Sequence, residues 1–127
     1  MNSIVGTWRL VKTEGFDEGG KPVAPPYGPR PIGLVMFHAD GRMAAVLNDS
    51  RPDLPAGEGA YMSYTGRYTF DGATLRTRVD GSSDPSRVGG EQVRDVAVEN
   101  GLLKLSPPLR AWRGAMQRHV LYWERIG

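Results

Sequence analysis

The stretch that decides the fold runs from Tyr61 to Val79 and reads YMSYTGRYTFDGATLRTRV. Two alternating runs rich in aromatic and β-branched residues lie on either side of its Asp71-Gly72 dipeptide. This arrangement is typical of a β-hairpin, because Asp and Gly tolerate the positive φ that a type I′ turn requires. We therefore predict two antiparallel strands here, joined by a tight turn.

Two further dipeptides carry the same signal, namely Asp40-Gly41 and Asn100-Gly101. Reading outward from the three turns predicts about eight strands, with one short helical turn at Asp53–Ala60. The predicted strands are, in chain order, Val5–Lys12, Ile32–His38, Arg42–Leu47, Tyr61–Phe70, Ala73–Val79, Glu91–Glu99, Leu102–Leu105 and Gln117–Ile126.

The strand pattern predicts an all-β fold. At 127 residues the chain is expected to form one domain, residues 1–127. An antiparallel up-and-down meander of eight strands protects its edges by closing into a barrel. Two segments rich in proline and glycine, 19–31 and 48–59, are predicted to be long loops at the barrel mouth. The interior of such a barrel is either filled by side chains or holds one small ligand.

The composition argues against several classes of protein. The chain has no cysteine and two histidines, so neither a disulfide nor a metal centre is expected, and no cofactor is predicted. Its 13 arginines are scattered among 14 acidic residues, which argues against a nucleic acid partner. No apolar run reaches the roughly 18–20 residues of a membrane helix, and the first residues carry no secretory signal. We therefore expect a cytoplasmic protein without a membrane partner.

The sixth predicted strand, Glu91–Glu99, is expected to place a cation inside the barrel. Successive strand residues point to opposite faces, so Gln92 and Arg94 share one face while Glu91 and Asp95 share the other. The acidic face must contact water, which turns Gln92 and Arg94 inward. A buried guanidinium needs acceptors. Either the barrel itself or a ligand supplies them, and the sequence leaves both interpretations open.

The last predicted strand adds a histidine to the interior. Because Glu124 is expected to face water, alternation turns Trp123, Leu121 and His119 inward. An inward histidine is either a hydrogen-bonded structural residue or a general acid or base, and both interpretations stay open.

Two tyrosines of the fourth predicted strand, Tyr64 and Tyr68, share a face that we expect to be inward. Their rings would fill the core, while a hydroxyl group near the mouth would seek a polar partner. The same reasoning favours an inward direction for Ile32, Leu34, Met36 and His38 on the second strand, and it leaves the direction of Arg78 open.

The two ends of the chain carry a family resemblance. The opening IVGTWRL (residues 4–10) contains a Gly-x-Trp motif, and the closing LYWER (121–125) contains a late-strand arginine. Between them, YTGRY (64–68) and GEQVR (90–94) follow in order. Together these segments resemble the small bacterial and fungal lipocalin-like domain family over nearly the whole chain. The resemblance implies that Trp8 and Arg125 close the barrel floor by stacking a ring on a guanidinium.

Three functions follow from these expectations. The first is binding of a small hydrophobic, aromatic or polyketide-like molecule in a cavity of about 300 Å³ or more. Its predicted contacts are Tyr64, Tyr68, Gln92, Arg94 and His119. The second is a cofactor-free isomerase, cyclase or dehydratase that acts in the same cavity by proton transfer, with His119 and Tyr68 as catalytic residues.

The third function is that of a filled barrel acting as a structural or protein-interaction module. Trp112, between Arg110 and Arg113, would then be an aromatic anchor at an interface. The alternative is that the segment Pro107–Met116 is a loop packed over the barrel mouth. A homodimer is kept open as a partner under this interpretation.

Overall fold

The structure is a computed structural model that describes residues 3–54 and 60–127. The described residues form ten strands and one 3-10 turn, Pro85–Arg87. The strands are β1 (Gly6–Asp17), β2 (Pro22–Val23), β3 (Pro31–Phe37), β4 (Arg42–Asp49), β5 (Tyr61–Phe70), β6 (Thr74–Ser82), β7 (Glu91–Glu99), β8 (Leu102–Ser106), β9 (Arg110–Trp112) and β10 (Ala115–Arg125). The helical turn predicted at Asp53–Ala60 falls mostly on residues 55–59, which lie outside the described residues.

Eight of these strands close into an antiparallel barrel, as predicted. The order around the barrel is β1-β3-β4-β5-β6-β7-β8-β10, and β10 pairs back with β1. The closing register places Trp8 opposite Arg125 and Asp17 opposite Gln117. The two short strands, β2 and β9, extend β1 and β10 beyond this ring. Closure satisfies the backbone groups that an open sheet would expose at its edges.

The hairpin turns differ in part from the prediction. Asn100 and Gly101 both have positive φ, 53° and 77°, as a type I′ turn requires. In Asp40-Gly41 and Asp71-Gly72 only the glycine has a positive φ, so the type I′ prediction is wrong at these two turns. The aspartate side chains instead accept hydrogen bonds from backbone amides two or three residues further along.

One tight hairpin turn was missed. Arg113 and Gly114, with φ of 48° and 87°, join β9 to β10. An arginine in this conformation is uncommon. An Arg-Gly pair is not among the usual signals of a type I′ turn, which are Asn-Gly and Asp-Gly.

The inward faces of β6 and β7 follow the predicted alternation, but the inward face predicted for β3 is wrong. Leu75, Thr77 and Val79 are buried while Arg78 is exposed, which settles the direction that the sequence left open. On β3, the buried set is Gly33, Val35 and Phe37, whereas Ile32, Leu34, Met36 and also His38 are exposed. Both faces of β3 are apolar, so polarity alone cannot distinguish inside from outside. The register with β4 decides the matter by placing Phe37 beside the buried Met43.

The floor of the barrel is a stack between Trp8 and Arg125. The guanidinium carbon lies 4.3 Å from the centroid of the indole ring. Arg125 also donates to the backbone oxygen of Val5 at 2.6 Å, and the indole nitrogen of Trp8 donates to Ile4 at 3.0 Å. Gly6 has φ of 139°, and a Cβ there would lie 2.5 Å from Nη1 of Arg125. The glycine of the Gly-x-Trp motif therefore makes room for the arginine that covers the tryptophan.

Candidate ligand-binding site

The interior of the barrel contains a small cavity near the mouth. Its apolar wall is formed by residues of β3 to β10, namely Val35, Phe37, Leu47, Met62, Leu75, Leu105, Leu121 and Trp123. Its polar lining consists of Tyr27, Tyr64, Arg87, Gln92, Arg94 and Arg110. The cavity volume is about 40 Å³, far below the expected 300 Å³ and close to the space of one water molecule. Aromatic and aliphatic side chains fill most of the barrel in this conformation.

Side chains from outside the barrel wall cover the cavity. We call Tyr27, Arg87, Arg110 and Trp112 the roof. Tyr27 comes from the loop before β3, Arg87 from the 3-10 turn, and the other two from β9. The Tyr27 ring is 6.4 Å from that of Trp112, and Trp112 meets the edge of the His119 ring at 4.7 Å. Trp112 therefore packs beside the mouth, but on a short β-hairpin rather than on the loop expected for Pro107–Met116.

Arg94 lies inside the barrel, where alternation along β7 placed it. Its guanidinium donates to the backbone oxygen of Val93 at 2.9 Å and to Oε1 of Gln92 at 2.8 Å. Both acceptors are neutral and belong to its own strand. Among the described residues, no carboxylate forms an ion pair with Arg94. Burial lowers the pKa of Arg94, and the nearby Arg87 charge acts in the same direction. A buried cation without a counter-charge costs several kcal/mol.

Arg110 adds a second cation to the same cavity. Burial lowers the pKa of Arg110 to about 10, with further lowering from Arg87 and Arg94. Its Nε atom is buried and has no hydrogen-bond partner in the described part of the chain. Arg87 differs from the other two arginines, because its Nε lies 3.6 Å from a carboxylate oxygen of Asp84. The cavity therefore holds more positive charge than its described lining compensates.

Two neutral donors complete the lining. Nε2 of Gln92 and Nε1 of Trp123 are buried without a hydrogen-bond partner among the described residues, and both residues line the cavity. A buried N–H group without an acceptor loses its hydration and gains nothing in return. The polar side of the cavity is therefore rich in donors, and it is chemically suited to a ligand that brings acceptor oxygens.

The structure places Tyr64, Gln92 and Arg94 together at the cavity but separates Tyr68 from them. The hydroxyl group of Tyr68 donates to the backbone oxygen of His38 at 2.6 Å, and its backbone amide bonds to Gly41. These contacts lie beside the Asp40-Gly41 turn, at the floor end of the barrel. Tyr68 does not line the cavity and packs edge-on against Phe37 at 5.1 Å.

His119 is buried, as predicted, but lies behind the roof rather than on the cavity wall. Its Nε2 is 2.9 Å from Oε1 of Gln117, its ring packs on Trp112, and its Nδ1 has no partner among the described residues. Burial, with a smaller contribution from Arg110, lowers the pKa of His119 to about 4. The imidazole is therefore neutral near pH 7.

The buried histidine predicts a pH dependence of stability. Between pH 4 and 6.5 the unfolded chain binds a proton at His119 that the folded chain does not bind. The free energy of unfolding therefore rises with pH in this window, and this stabilisation is lost as the pH falls. We expect His119→Phe to flatten this slope in urea titrations from pH 4 to 8. The exposed His38, changed to Phe, is the control and should leave the slope as it is. An equal slope in wild type and His119→Phe would contradict the assignment.

The sequence offers no indication of Tyr27 or Arg87 at the cavity, or of the donor role of Trp123. It placed Arg110 and Trp112 either at an interface or in a loop over the mouth, although the Arg113-Gly114 turn could have indicated the hairpin that carries them. Tyr27 stands among prolines without any periodicity, so no local signal identified it. Within the described residues no group of three metal-binding side chains occurs, and no helix there is long and apolar enough to cross a membrane.

The described residues define a small antiparallel β-barrel with a cavity inside it. The chain belongs to the lipocalin-like domain family, whose model matches residues 5–60 and 58–126. The family resemblance inferred from the sequence is thereby confirmed. A crystal structure of an uncharacterized protein from Bacteroides eggerthii is similar, with 15% sequence identity and a TM-score of 0.44 over 94% of this chain and 98% of that chain. No curated protein matches the sequence.

Proposed function

We propose that the protein binds a small apolar or aromatic molecule inside the barrel, with a carbonyl, phenolate or carboxylate oxygen facing Arg94. The observation that carries this proposal is the half-buried guanidinium of Arg94, which meets only neutral acceptors from its own strand. A ligand oxygen that carries negative charge, in full or in part, would supply what these neutral acceptors do not. The apolar wall beneath would contact the rest of the molecule, as is usual in ligand sites.

Binding requires the roof to move, because about 40 Å³ admits no molecule much larger than water. The roof residues come from a loop, a 3-10 turn and a three-residue strand, so their displacement leaves the barrel ladder intact. The contact between β9 and β10 spans only Ala115–Gln117 on the β10 side. Segments with so few backbone pairs open at low free-energy cost.

Binding is favoured over catalysis on chemical grounds. An acid or base must reach the reacting atoms. His119 lies behind the roof and Tyr68 lies at the floor end, so neither of the predicted catalytic residues lines the cavity. No carboxylate stands among the described residues of the lining.

The three tryptophans provide an internal test. The Trp123 indole lines the cavity, whereas the Trp8 indole donates to Ile4 at the floor. We expect the indole N–H cross-peak of Trp123 to shift in an NMR titration with 1-naphthamide or 1-naphthoate, two probes of one aromatic frame. The Trp8 cross-peak should stay in place and serves as the control. A titration in which neither probe moves the Trp123 cross-peak would contradict the proposal.

A second candidate function, a filled barrel that forms a homodimer, is favoured by the outer face of the sheet. The exposed fractions are 43% for Leu34 and 44% for Val46, which lie opposite each other on β3 and β4. Further exposed apolar residues adjoin this pair, namely Val11, Ile32, Met36 and Tyr61. A contiguous apolar patch on a protein surface often marks an interface.

This second function predicts a dimer in solution. Leu34→Lys should convert it to a monomer in size-exclusion chromatography with light scattering, because the change places a charge in the centre of the apolar face. Val88→Lys, at another exposed apolar position, is the matched control and should remain dimeric. Trp112→Ala should not change the size, since Trp112 packs on the roof. A monomeric wild type would exclude this function.

A further inference from the structure

We propose that the ligand carries a full negative charge, and that its oxyanion binds between the guanidinium groups of Arg94 on the wall and Arg110 on the roof. The inference rests on the proposed function and narrows its ligand from any acceptor oxygen to an anion of the carboxylate type.

The charge of the cavity lining is the first argument. Arg87, Arg94 and Arg110 all line the cavity, and no Asp or Glu stands among its described lining residues. The carboxylate of Asp84 pairs with Arg87 and is about half exposed, so it lies toward solvent. A neutral carbonyl would accept hydrogen bonds but would leave the excess positive charge in place. An anion satisfies the donors and compensates the charge together.

The donor count is the second argument. Nε of Arg110, Nε2 of Gln92 and Nε1 of Trp123 are buried N–H groups without partners among the described residues, and all three residues line this one cavity. A carboxylate offers two oxygens with about four acceptor positions, whereas a ketone or amide oxygen offers two. The acceptor capacity of a carboxylate thus matches these three donors together with a guanidinium, whereas that of a single carbonyl oxygen does not.

Mutual repulsion of the arginines is the third argument. The charges of Arg87 and Arg94 both act to lower the pKa of Arg110, so the cations lie close enough to destabilise one another. Arg94 belongs to β7, while Arg110 belongs to the short strand β9 of the roof. An anion between them would turn this repulsion into attraction and would hold the roof against the wall. The negative charge of the ligand would thus give the site its selectivity and would also keep Arg110 in place over the bound ligand.

The test uses two probes that share the naphthalene frame and differ in charge, 1-naphthoate and 1-naphthamide. Affinities are measured by isothermal titration calorimetry on the full chain. We expect the wild type to bind the naphthoate at least about tenfold more tightly, since only its carboxylate forms ion pairs with the guanidinium groups. In Arg94→Gln and in Arg110→Gln the preference should fall to about twofold or less. Arg78→Gln, which removes an exposed arginine from β6, is the matched control and should keep the preference.

The outcomes separate this inference from the proposed function. Equal affinity for the two probes in the wild type would overturn the anion inference while leaving small-molecule binding in place. A preference that survives both Arg94→Gln and Arg110→Gln would overturn it as well. Absence of binding by either probe would overturn the proposed function and the inference together. Arg110 lies on the roof and outside the barrel ring, so Arg110→Gln should leave the barrel folded. This variant therefore tests the anion inference even where Arg94→Gln does not fold.

Discussion

Replacing Trp8 with alanine is expected to lower the free energy of unfolding by about 3–5 kcal/mol. Trp8 is 4% exposed and belongs to the main hydrophobic cluster of the barrel. The change removes a large buried ring, its hydrogen bond to Ile4, and the surface on which Arg125 stacks. Neighbouring strands cannot collapse into the space, because β1 is paired on both sides, with β3 and with β10. Guanidinium denaturation followed by circular dichroism measures the effect.

The roof tryptophan supplies the comparison for this prediction. Trp112 is only half-buried and lies on the short strand β9, so Trp112→Ala should cost about 1–2 kcal/mol. Trp8→Ala should cost more free energy of unfolding than Trp112→Ala because Trp8 belongs to the barrel ring, whereas Trp112 belongs to the roof. Equal losses in the two variants would contradict the structural role assigned to the floor.

Replacing Arg94 with methionine is expected to have the opposite sign, raising the free energy of unfolding by about 1–3 kcal/mol. The change removes a half-buried charge that has only neutral acceptors, and methionine fills the volume of the aliphatic stem. The same variant should lose the preference for an anionic probe. A side chain that destabilises the fold while contacting the ligand is typical of a binding site, because stability and function make different demands on it.

Arg125→Met is the matched control for this variant. Arg125 donates to two backbone oxygens and covers the Trp8 ring, so its loss should lower the free energy of unfolding by about 1–2 kcal/mol. Two arginines replaced by the same residue in the same barrel thus change stability in opposite directions. A loss in Arg94→Met as large as that in Arg125→Met would mean that Val93 and Gln92 satisfy Arg94, and the ligand-facing interpretation would lose its support.

Much of the barrel could be predicted from the sequence, because its signals are local. Glu91 and Asp95 mark the outer face of β7 unambiguously, so the inward direction of Arg94 follows from alternation alone. The Gly-x-Trp motif and the late-strand arginine identify the two ends that close the ring, and the structure pairs them. Even the eight strands of the barrel follow from turn dipeptides and period-2 patterns.

The rest depends on contacts between distant parts of the chain. The face of β3 could not be predicted, since Leu34 and Val35 are equally apolar and only the register with β4 distinguishes them. A register shift after Leu10 turns the other set of alternating β1 side chains inward, and no residue type at this point indicates the shift. Tyr27 could not be predicted for the same reason, because it reaches the cavity through packing on Trp112 rather than through any local pattern. The size of the cavity likewise follows from how side chains fill space, which alternation does not describe.

A crystal structure of the protein grown with 1-naphthoate tests the central claim most directly. We expect the naphthalene ring between Phe37 and Trp123, the carboxylate between Arg94 and Arg110, and the Tyr27 ring displaced, so that the present cavity of about 40 Å³ opens to about 300 Å³. The contrary result is a barrel still filled by its own side chains, with Arg94 held only by Val93 and Gln92 and the naphthoate absent from the interior.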